Sequence, residues 1–245
     1  MNTLDPEFLD RVDRYWADFL GCAPDMLRRE TPQVVGHAAL DDYAGCYLME
    51  VGGAPIVSLP IDEVESYRQA VAQWRPGIVR TPAVVEAVFG KGVTGSIGPA
   101  FVGYSDLKHF RPVPAGAARP LTARDEKAVD TLRAACVIED WNHGGNQFRP
   151  SAMVGAFIGD ELAALASYQL WDEQIAHIAI VAHPAFRRHG YATVAVSRLT
   201  EMVFERALVP QYRTLESNAP SMAVARRLGF VRYATSLAVR LVSSK

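Results

Sequence analysis

The segment from Arg187 to Ala192, with the sequence RRHGYA, is the strongest candidate for chemistry in this chain. It stands between an apolar, strand-like run and a long amphipathic helical pattern. The start of a helix offers unpaired N–H groups and the positive end of the helix dipole. Gly190 lets the backbone approach a ligand, and the two arginines and the histidine add positive charge. The segment therefore predicts a turn that binds an anionic group such as a diphosphate.

His177 is the second candidate, because it lies in the apolar run Gln174–Ala182 that leads into this turn. Strand alternation places Ile175, His177, Ala179 and Val181 on one face. An imidazole titrates near neutral pH, so His177 could take a proton directly or through water. A core histidine that is hydrogen-bonded to a neighbour explains the residue equally well. The weaker candidates for a base are Glu173, Tyr168 and Glu216.

Four further side chains are candidates for a ligand pocket. His183 follows the apolar run directly and could line the ligand of the turn. Trp141, His143 and Trp171 could shape a substrate pocket, although aromatic packing in a core accounts for both tryptophans.

The elements that must position these residues are regular in the C-terminal half. Thr122 is the expected N-cap of a helix with acidic residues in its first turn. The runs Ala152–Ile158 and Glu161–Tyr168, joined by Gly159-Asp160, predict a hairpin. Gln174–Ala182 is apolar on both faces, which indicates a central strand. The polar, glycine-containing stretch Trp141–Arg149 is expected to be a loop.

The N-terminal half also alternates helical and strand-like patterns. A helix is expected around residues 8–19 and ends at Gly21, and apolar runs joined by Gly52-Gly53 predict a hairpin. Two helical patterns and a last strand, Ile97–Tyr104, follow. The segment Arg111–Pro120 is rich in Pro, Ala and Gly and is typical of a linker. These patterns predict an N-terminal α/β domain over 1–110, a linker over 111–120 and a second domain over 121–245.

Composition excludes several classes of protein. The 245 residues are 49% hydrophobic and carry a net charge of −2, which gives no general attraction to nucleic acid or anionic membranes. The first ten residues do not resemble a signal peptide, and no run approaches the about 20 apolar residues of a membrane span. Cys22, Cys46 and Cys136 share no metal-ligand spacing. A cytoplasmic protein without a bound metal is expected.

Two motifs in this order resemble the GCN5-related N-acetyltransferase (GNAT) superfamily. Arg187–Ala192 matches its R/Q-x-x-G-x-G/A acetyl-CoA signature, and Gln211–Ser217 is similar to its fifth strand. Asn218–Ser221 with Arg226–Phe230 resembles its N-x-x-S…LGF segment. The resemblance covers Leu121 to Leu241, and the N-terminal half resembles the extra domain of some larger bacterial members. It implies an α/β (α+β) fold with a mixed, mostly antiparallel central sheet flanked by helices, in which the N-terminal domain is a degenerate copy.

The resemblance implies that acetyl-CoA is the co-substrate and that its acetyl group passes to a primary amine, small or protein-borne, by direct attack on the thioester. The pantetheine arm would pair with the backbone of Ile180, Val181 and Ala182, as an added strand does. Asn218 would bond the pantetheine, with Ser221 near it, although a helix cap explains Asn218 nearly as well. The implied catalytic residues are His177 and Glu173. The pyrophosphate would be bound around Arg187, Arg188, His189, Gly190, Tyr191, Ala192 and Thr193.

One position departs from the family pattern. A tyrosine in the late helix often protonates the leaving thiolate, and Ala225 stands at that place here. A non-catalytic acyl-CoA-binding or regulatory protein is therefore the alternative function. Nucleic-acid binding by the basic turn is disfavoured by the net charge, and a Rossmann site is disfavoured by the missing G-x-G-x-x-G. The expected assembly is a monomer or homodimer that binds neither nucleic acid nor membrane.

Overall fold

The described part of the computed structural model, residues 4–37 and 45–242, contains seven α-helices and ten strands. The helices are α1 (Pro6–Leu20), α2 (Val64–Val71), α3 (Pro82–Phe89), α4 (Glu126–Ala135), α5 (Ile138–Gly144), α6 (Tyr191–Glu205) and α7 (Ala219–Arg227). The strands of the N-terminal half are β1 (Gln33–Gly36), β2 (Gly45–Glu50), β3 (Ile56–Leu59) and β4 (Val93–Tyr104). Those that follow are β5 (Ala118–Pro120), β6 (Met153–Ile158), β7 (Glu161–Trp171), β8 (Ile175–Ala182), β9 (Val209–Leu215) and β10 (Val231–Leu241).

The ten strands form one sheet in the order β1-β3-β2-β10-β4-β9-β8-β7-β6-β5. Neighbours pair antiparallel except at β1–β3 and β8–β9. The predicted fold class, a mixed and mostly antiparallel sheet flanked by helices, is confirmed. Among the described residues, no helix has the length and apolar character that crossing a membrane requires.

The sheet runs across the boundary between the two halves of the sequence. Strand β4, from the N-terminal half, lies between β9 and β10 and pairs antiparallel with both. The end of the segment 111–120 also joins the sheet, because β5 pairs with β6. The division into domains over 1–110 and 121–245 stays a prediction. What the structure adds is that β4 delivers side chains of the N-terminal half to the centre of the sheet.

Most predicted elements form where their local chemistry places them. Asp5 caps α1 through backbone N–H groups of its first turn, and Gly21 ends the helix at φ 75°. Thr122 and Asp125 form the capping box before α4. The hairpin β6–β7 turns at Gly159-Asp160, and β8 is central, between β7 and β9.

The prediction of a loop over Trp141–Arg149 is wrong for its first four residues. They belong to α5, Ile138–Gly144. Trp141 is 8% exposed and packs in an apolar cluster with residues such as Leu132 and Val181. Burial of this large ring fixes a short helix against the sheet, although the polar residues and the glycine pair Gly144-Gly145 favour a loop locally.

Helices cover both faces of the sheet around β8 and β9. One face packs against α1, α4 and α5, where Ile175 and Val181 of β8 are buried. The opposite face packs against α6 and α7, where Ile178 of β8 and Tyr212 of β9 are buried. His177 lies on the face of Ile175, so it belongs to the side of α1 and α5.

Candidate functional site

The parallel strands β8 and β9 separate at the centre of the sheet. They pair from Ile175–Val209 to Ile178–Tyr212, and the pairing ends there. Beyond this point β8 continues only along β7, and β9 continues only along β4. The backbone of 179–182 and that of 213–215 therefore border a gap. Backbone N–H and C=O groups along such an edge can pair with an extended ligand, as with an added strand.

The gap opens toward the predicted anion-binding turn. Strand β8 leads through a 3-10 turn at Pro184–Phe186 into Arg187–Gly190 and then into α6. Arg188 and Gly190 have φ of 67° and 88°, in the left-handed region. Gly190 is the N-cap of α6, and no side-chain hydrogen bond caps this helix end. A Cβ built on Gly190 would meet no atom within 4 Å. The backbone conformation at residue 190 therefore favours glycine, and the space beside it is open to a ligand.

The first amides of α6 are free of the helix ladder. The first i to i−4 bond runs from the N–H of Val194 to the carbonyl of Gly190, at 3.1 Å. The N–H groups of Tyr191, Ala192 and Thr193 precede it, and no side chain of the N-cap takes them up. Because these donors lie at the positive end of a fifteen-residue helix, they suit a phosphate oxygen.

Arg187, one of the predicted ligand-binding residues, contacts both α5 and β8. Its guanidinium binds the carboxylate of Asp140 in α5 at 2.6 Å, and its Nε lies 3.4 Å from the carbonyl of Ala182. The Nδ1 of His189 donates to the carbonyl of Arg187 at 2.8 Å. Arg187 and His189 thus hold the turn in shape, and Asp140 neutralises the charge of Arg187. The positive charge offered to a ligand comes from the exposed Arg188 and the helix end.

Asn218 caps α7, so the helix-cap alternative for this residue is confirmed. Its Oδ1 accepts the N–H of Ser221 at 3.1 Å, and the amide Nδ2 takes no part in this cap and can donate to a ligand. The hydroxyl of Ser221 in turn bonds the hydroxyl of Tyr212 at 2.9 Å. Burial raises the pKa of Tyr212 to about 12, although the hydrogen bond with Ser221 lowers it in part. This phenol therefore stays protonated at neutral pH. The pair fixes the start of α7 beside the point of strand separation.

His177 lies in a row of polar side chains that crosses four strands. Gln169, His177, Gln211 and Tyr104 occupy directly opposed positions on β7, β8, β9 and β4. The Nδ1 of His177 is 2.8 Å from Oε1 of Gln211, and the amide Nε2 of Gln211 donates to the hydroxyl of Tyr104. Trp16 of α1 donates to the same hydroxyl at 2.7 Å.

This row determines the state of the His177 imidazole. A carbonyl oxygen only accepts, so Nδ1 carries the proton and Nε2 keeps a lone pair. Burial lowers the pKa of His177 to about 4, with a further lowering by Arg213 and a partial offset by the bond to Gln211. The ring also stacks on Trp171, with centroids 4.0 Å apart. His177 is therefore a neutral acceptor at physiological pH.

The other sequence candidates lie elsewhere. Glu173 occupies the turn before β8, and the strand's eight residues, roughly 26 Å at 3.3 Å each, separate it from the anion-binding turn. The hydroxyl of Tyr168 binds Arg206. Glu216 pairs with Arg232. The ring of His183 accepts the N–H of Ala185, and His143 bonds a carbonyl of its own helix.

Three residues at this site are missing from the sequence prediction: Tyr104, Gln211 and Arg213. Gln211 is a polar residue that is fully buried in the first half of a strand, and only the structure shows this burial. Tyr104 had no local indication either, because it lies 107 positions from Gln211 and meets it only through the insertion of β4 beside β9.

Comparisons with known proteins agree with this arrangement. Residues 120–230 match the sequence model of the Acetyltransferase (GNAT) family. A GCN5-related N-acetyltransferase from Kribbella flavida is similar over 96% of this chain and 95% of that one, with a TM-score of 0.52 and 15% identity. A GNAT-family acetyltransferase from Colwellia psychrerythraea has a TM-score of 0.51 and 15% identity. That match covers 64% of this chain and 61% of the other, so the chain spans less than two thirds of that protein.

Among curated proteins, none matches the sequence. At 15% identity the two solved structures show a shared fold. The family match covers the separated strands, the predicted anion-binding turn and α7. Residues 120–230 of this chain are therefore a domain of the acetyltransferase (GNAT) family.

Proposed function

We propose that the protein is an acetyl-CoA-dependent N-acetyltransferase that transfers the acetyl group to a primary amine. One observation carries this proposal: the gap between β8 and β9 leads directly to the uncapped start of α6. An elongated ligand with an extended amide-bearing arm and a phosphate-bearing end fits both parts at once. Acyl-CoA is the substrate of GNAT acyltransferases, and it has this form.

The bound cofactor would lie along β8. Its pyrophosphate would accept from the amides of Tyr191, Ala192 and Thr193 beside Gly190, with Arg188 near it. Its pantetheine would pair with the backbone of 180–182, and the free amide Nδ2 of Asn218 could donate to it from α7. This direction would bring the thioester to the point where the strands separate, next to His177 and Gln211.

The amine nitrogen would attack the thioester carbonyl carbon from the side of α1 and α5. Nε2 of His177 can accept a hydrogen bond from the neutral amine and so direct its lone pair. With a pKa of about 4, His177 cannot hold the proton at neutral pH, so the proton passes to water. The C–S bond breaks as the C–N bond forms. Water protonates the leaving thiolate, because Ala225 has no proton to give.

Calorimetric titration with acetyl-CoA tests the cofactor site. The wild type should bind saturably, and Gly190→Glu should abolish binding, since a carboxylate would occupy the open space and repel the pyrophosphate. Gly116→Glu is the matched control, because Gly116 also has a positive φ and open space. Failure of the wild type to bind, or equal loss in both variants, would contradict the proposal.

Release of free CoA with a panel of amines tests the transfer step. The wild type should release CoA only when an acceptor is present. Ala225, which is fully buried where the family pattern has an acid, favours a second function, a non-catalytic acyl-CoA-binding protein. Saturable acetyl-CoA binding without CoA release from any amine would support this second function.

A further inference from the structure

Arg213 is a cation at the mouth of the gap whose charge has no carboxylate partner. It follows Gln211 by two positions on β9, so it lies on the same face as Gln211 and His177, in the stretch that borders the gap. It is partly buried, and its guanidinium carbon lies 5.4 Å from the ring centroid of Tyr47. None of the ion pairs formed by residues 4–37 and 45–242 includes it.

Tyr47 beneath this guanidinium has an unused donor. Tyr47 is only 5% exposed, and its hydroxyl forms no hydrogen bond with any described residue. Buried hydroxyls are almost always hydrogen-bonded, because an unmade bond costs the full desolvation of the group. Next to an unpaired arginine, this hydroxyl indicates that an oxygen-bearing ligand completes the site.

Tyr15 of α1 interacts electrostatically with both groups. Burial raises the pKa of Tyr15, Tyr47 raises it further and Arg213 opposes the rise, so the three polar groups lie within electrostatic reach of each other. The ring of Tyr15 stacks on Trp171 at 6.3 Å, and Trp171 stacks on His177 at 4.0 Å. A continuous aromatic wall thus leads from Tyr15 to the imidazole.

We propose that the acceptor is an amine that also carries a carboxylate, as an amino acid does. Its carboxylate would bind the guanidinium of Arg213 and the hydroxyl of Tyr47, and its amine would lie against His177. The inference rests on the proposed function, since that function places the amine. The transfer is unchanged: the N–C bond forms, the C–S bond breaks, the amine proton leaves to water, and CoA departs as a thiolate that water protonates.

The chemistry of the site favours a carboxylate over other groups. A guanidinium offers paired donors that match the two oxygens of a carboxylate. The same positive charge, in a half-buried setting, repels an acceptor with a second ammonium group, so polyamines and aminoglycoside-like compounds are disfavoured. Asp172 is the carboxylate whose charge raises the pKa of Tyr15, and it accepts a hydrogen bond from the amide of Gln174 at 2.7 Å.

Matched acceptor pairs test the inference. Each amino acid of a panel is compared with its own carboxamide, and CoA release gives kcat/KM for both. The amide has the more acidic ammonium, so it offers more neutral amine at pH 7.5 and would react faster if the carboxylate were not recognised. We expect the acid to be preferred by tenfold or more. Equal values, or a preference for the amide, would overturn the inference while the proposed function stands.

Three variants locate the preference at the residues named. Arg213→Met should reduce kcat/KM for the acid at least tenfold and leave the amide nearly unchanged, and Arg213→Lys should retain part of the preference. Tyr47→Phe removes a hydroxyl without a partner, so it should raise KM for the acid while the protein folds normally. Arg14→Met is the control, because Arg14 is exposed on α1. A preference that survives in Arg213→Met would overturn the inference.

A binding experiment separates the two proposals. If acetyl-CoA binds but no amine releases CoA, the transfer step fails, and the same acids and amides are titrated onto the CoA complex. Saturable binding of an acid that Arg213→Met abolishes would still support the anion site. Absence of binding by every acid of the panel would overturn it.

Discussion

The Nδ1 of His177 lies 2.8 Å from Oε1 of Gln211, one register position before the last pair that joins β8 to β9. The hydrogen bond thus lies beside the point at which the two strands separate. It connects the strand that leads to the anion-binding turn with the strand that carries Arg213. Through Gln211 it also reaches Tyr104 of the N-terminal half. The imidazole is oriented by three strands rather than by its own strand alone.

Burial of His177 in neutral form predicts a specific acid sensitivity. Its pKa is about 4 in the folded protein and near 6.5 when unfolded, so between these values the unfolded chain binds a proton that the folded one does not. The stability that this group contributes is fully present above pH 6.5 and is lost as the pH falls toward 4. Between pH 7 and 5 the loss should be about 2 kcal/mol. Urea unfolding at both pH values measures it.

His177→Asn is the comparison for this measurement, because other groups also titrate in this range. The variant should lose about 2 kcal/mol less than the wild type between pH 7 and pH 5. An identical pH dependence in both proteins would mean that His177 titrates normally in the folded state.

The rate of transfer should follow the acceptor's own ionisation. His177 is neutral at all pH values well above 4, so it adds no inflection between pH 5.5 and 8. We expect kcat/KM to rise with pH until the amine is deprotonated, and two acceptors of different amine pKa should shift the profile accordingly. An inflection near pH 6.5 that disappears in His177→Asn would show instead that the imidazole itself takes up the proton.

Tyr104→Phe should impair catalysis more than cofactor binding. The substitution removes the hydroxyl that accepts from both Gln211 and Trp16, which leaves two buried donors unpaired at about 1–3 kcal/mol each. Gln211 would then hold His177 less firmly. We expect kcat to fall severalfold while the dissociation constant of acetyl-CoA stays within twofold. Tyr67→Phe, on the surface helix α2, is the control. A loss of stability in Tyr104→Phe without a fall in kcat would limit Tyr104 to a structural role.

Gly144→Ala should weaken acetyl-CoA binding from the opposite side of the strand. A Cβ on Gly144 would lie 2.1 Å from the carbonyl oxygen of Ile180, so α5 or β8 must shift. Ile180 belongs to the stretch proposed to pair with the pantetheine. We expect a tenfold or larger rise in the dissociation constant measured by calorimetry. Gly95→Ala, where a Cβ meets nothing within 4 Å, is the control, and unchanged binding in both would show that this stretch does not contact the cofactor.

Ala225→Tyr should not restore an acid at the position where the family pattern expects one. Ala225 is fully buried in the cluster beneath α6 and α7, so a tyrosine would overpack it and cost about 1–3 kcal/mol. Thermal unfolding should show a lower midpoint, with no gain in CoA release. A stable variant with a higher kcat would mean that the packing around α7 leaves room for the ring.

Local sequence determined the parts of this protein that depend on local physics. The helix caps at Asp5, Thr122 and Asn218, the hairpin turn at Gly159-Asp160 and the glycine of the anion-binding turn follow from backbone conformations and hydrogen bonds that neighbouring residues make. The order of the motifs around Gly190 and Asn218 was enough to predict the family and the mixed sheet.

Tertiary structure decided what depends on residues far apart in the chain. The insertion of β4 beside β9 brings Tyr104 to Gln211, and the packing of α1 brings Tyr15 to Trp171. Likewise, α5 forms because Trp141 has a core to enter, and Arg187 binds Asp140 because α5 lies against β8. No local pattern encodes such contacts, since each arises only when burial of apolar surface joins distant segments.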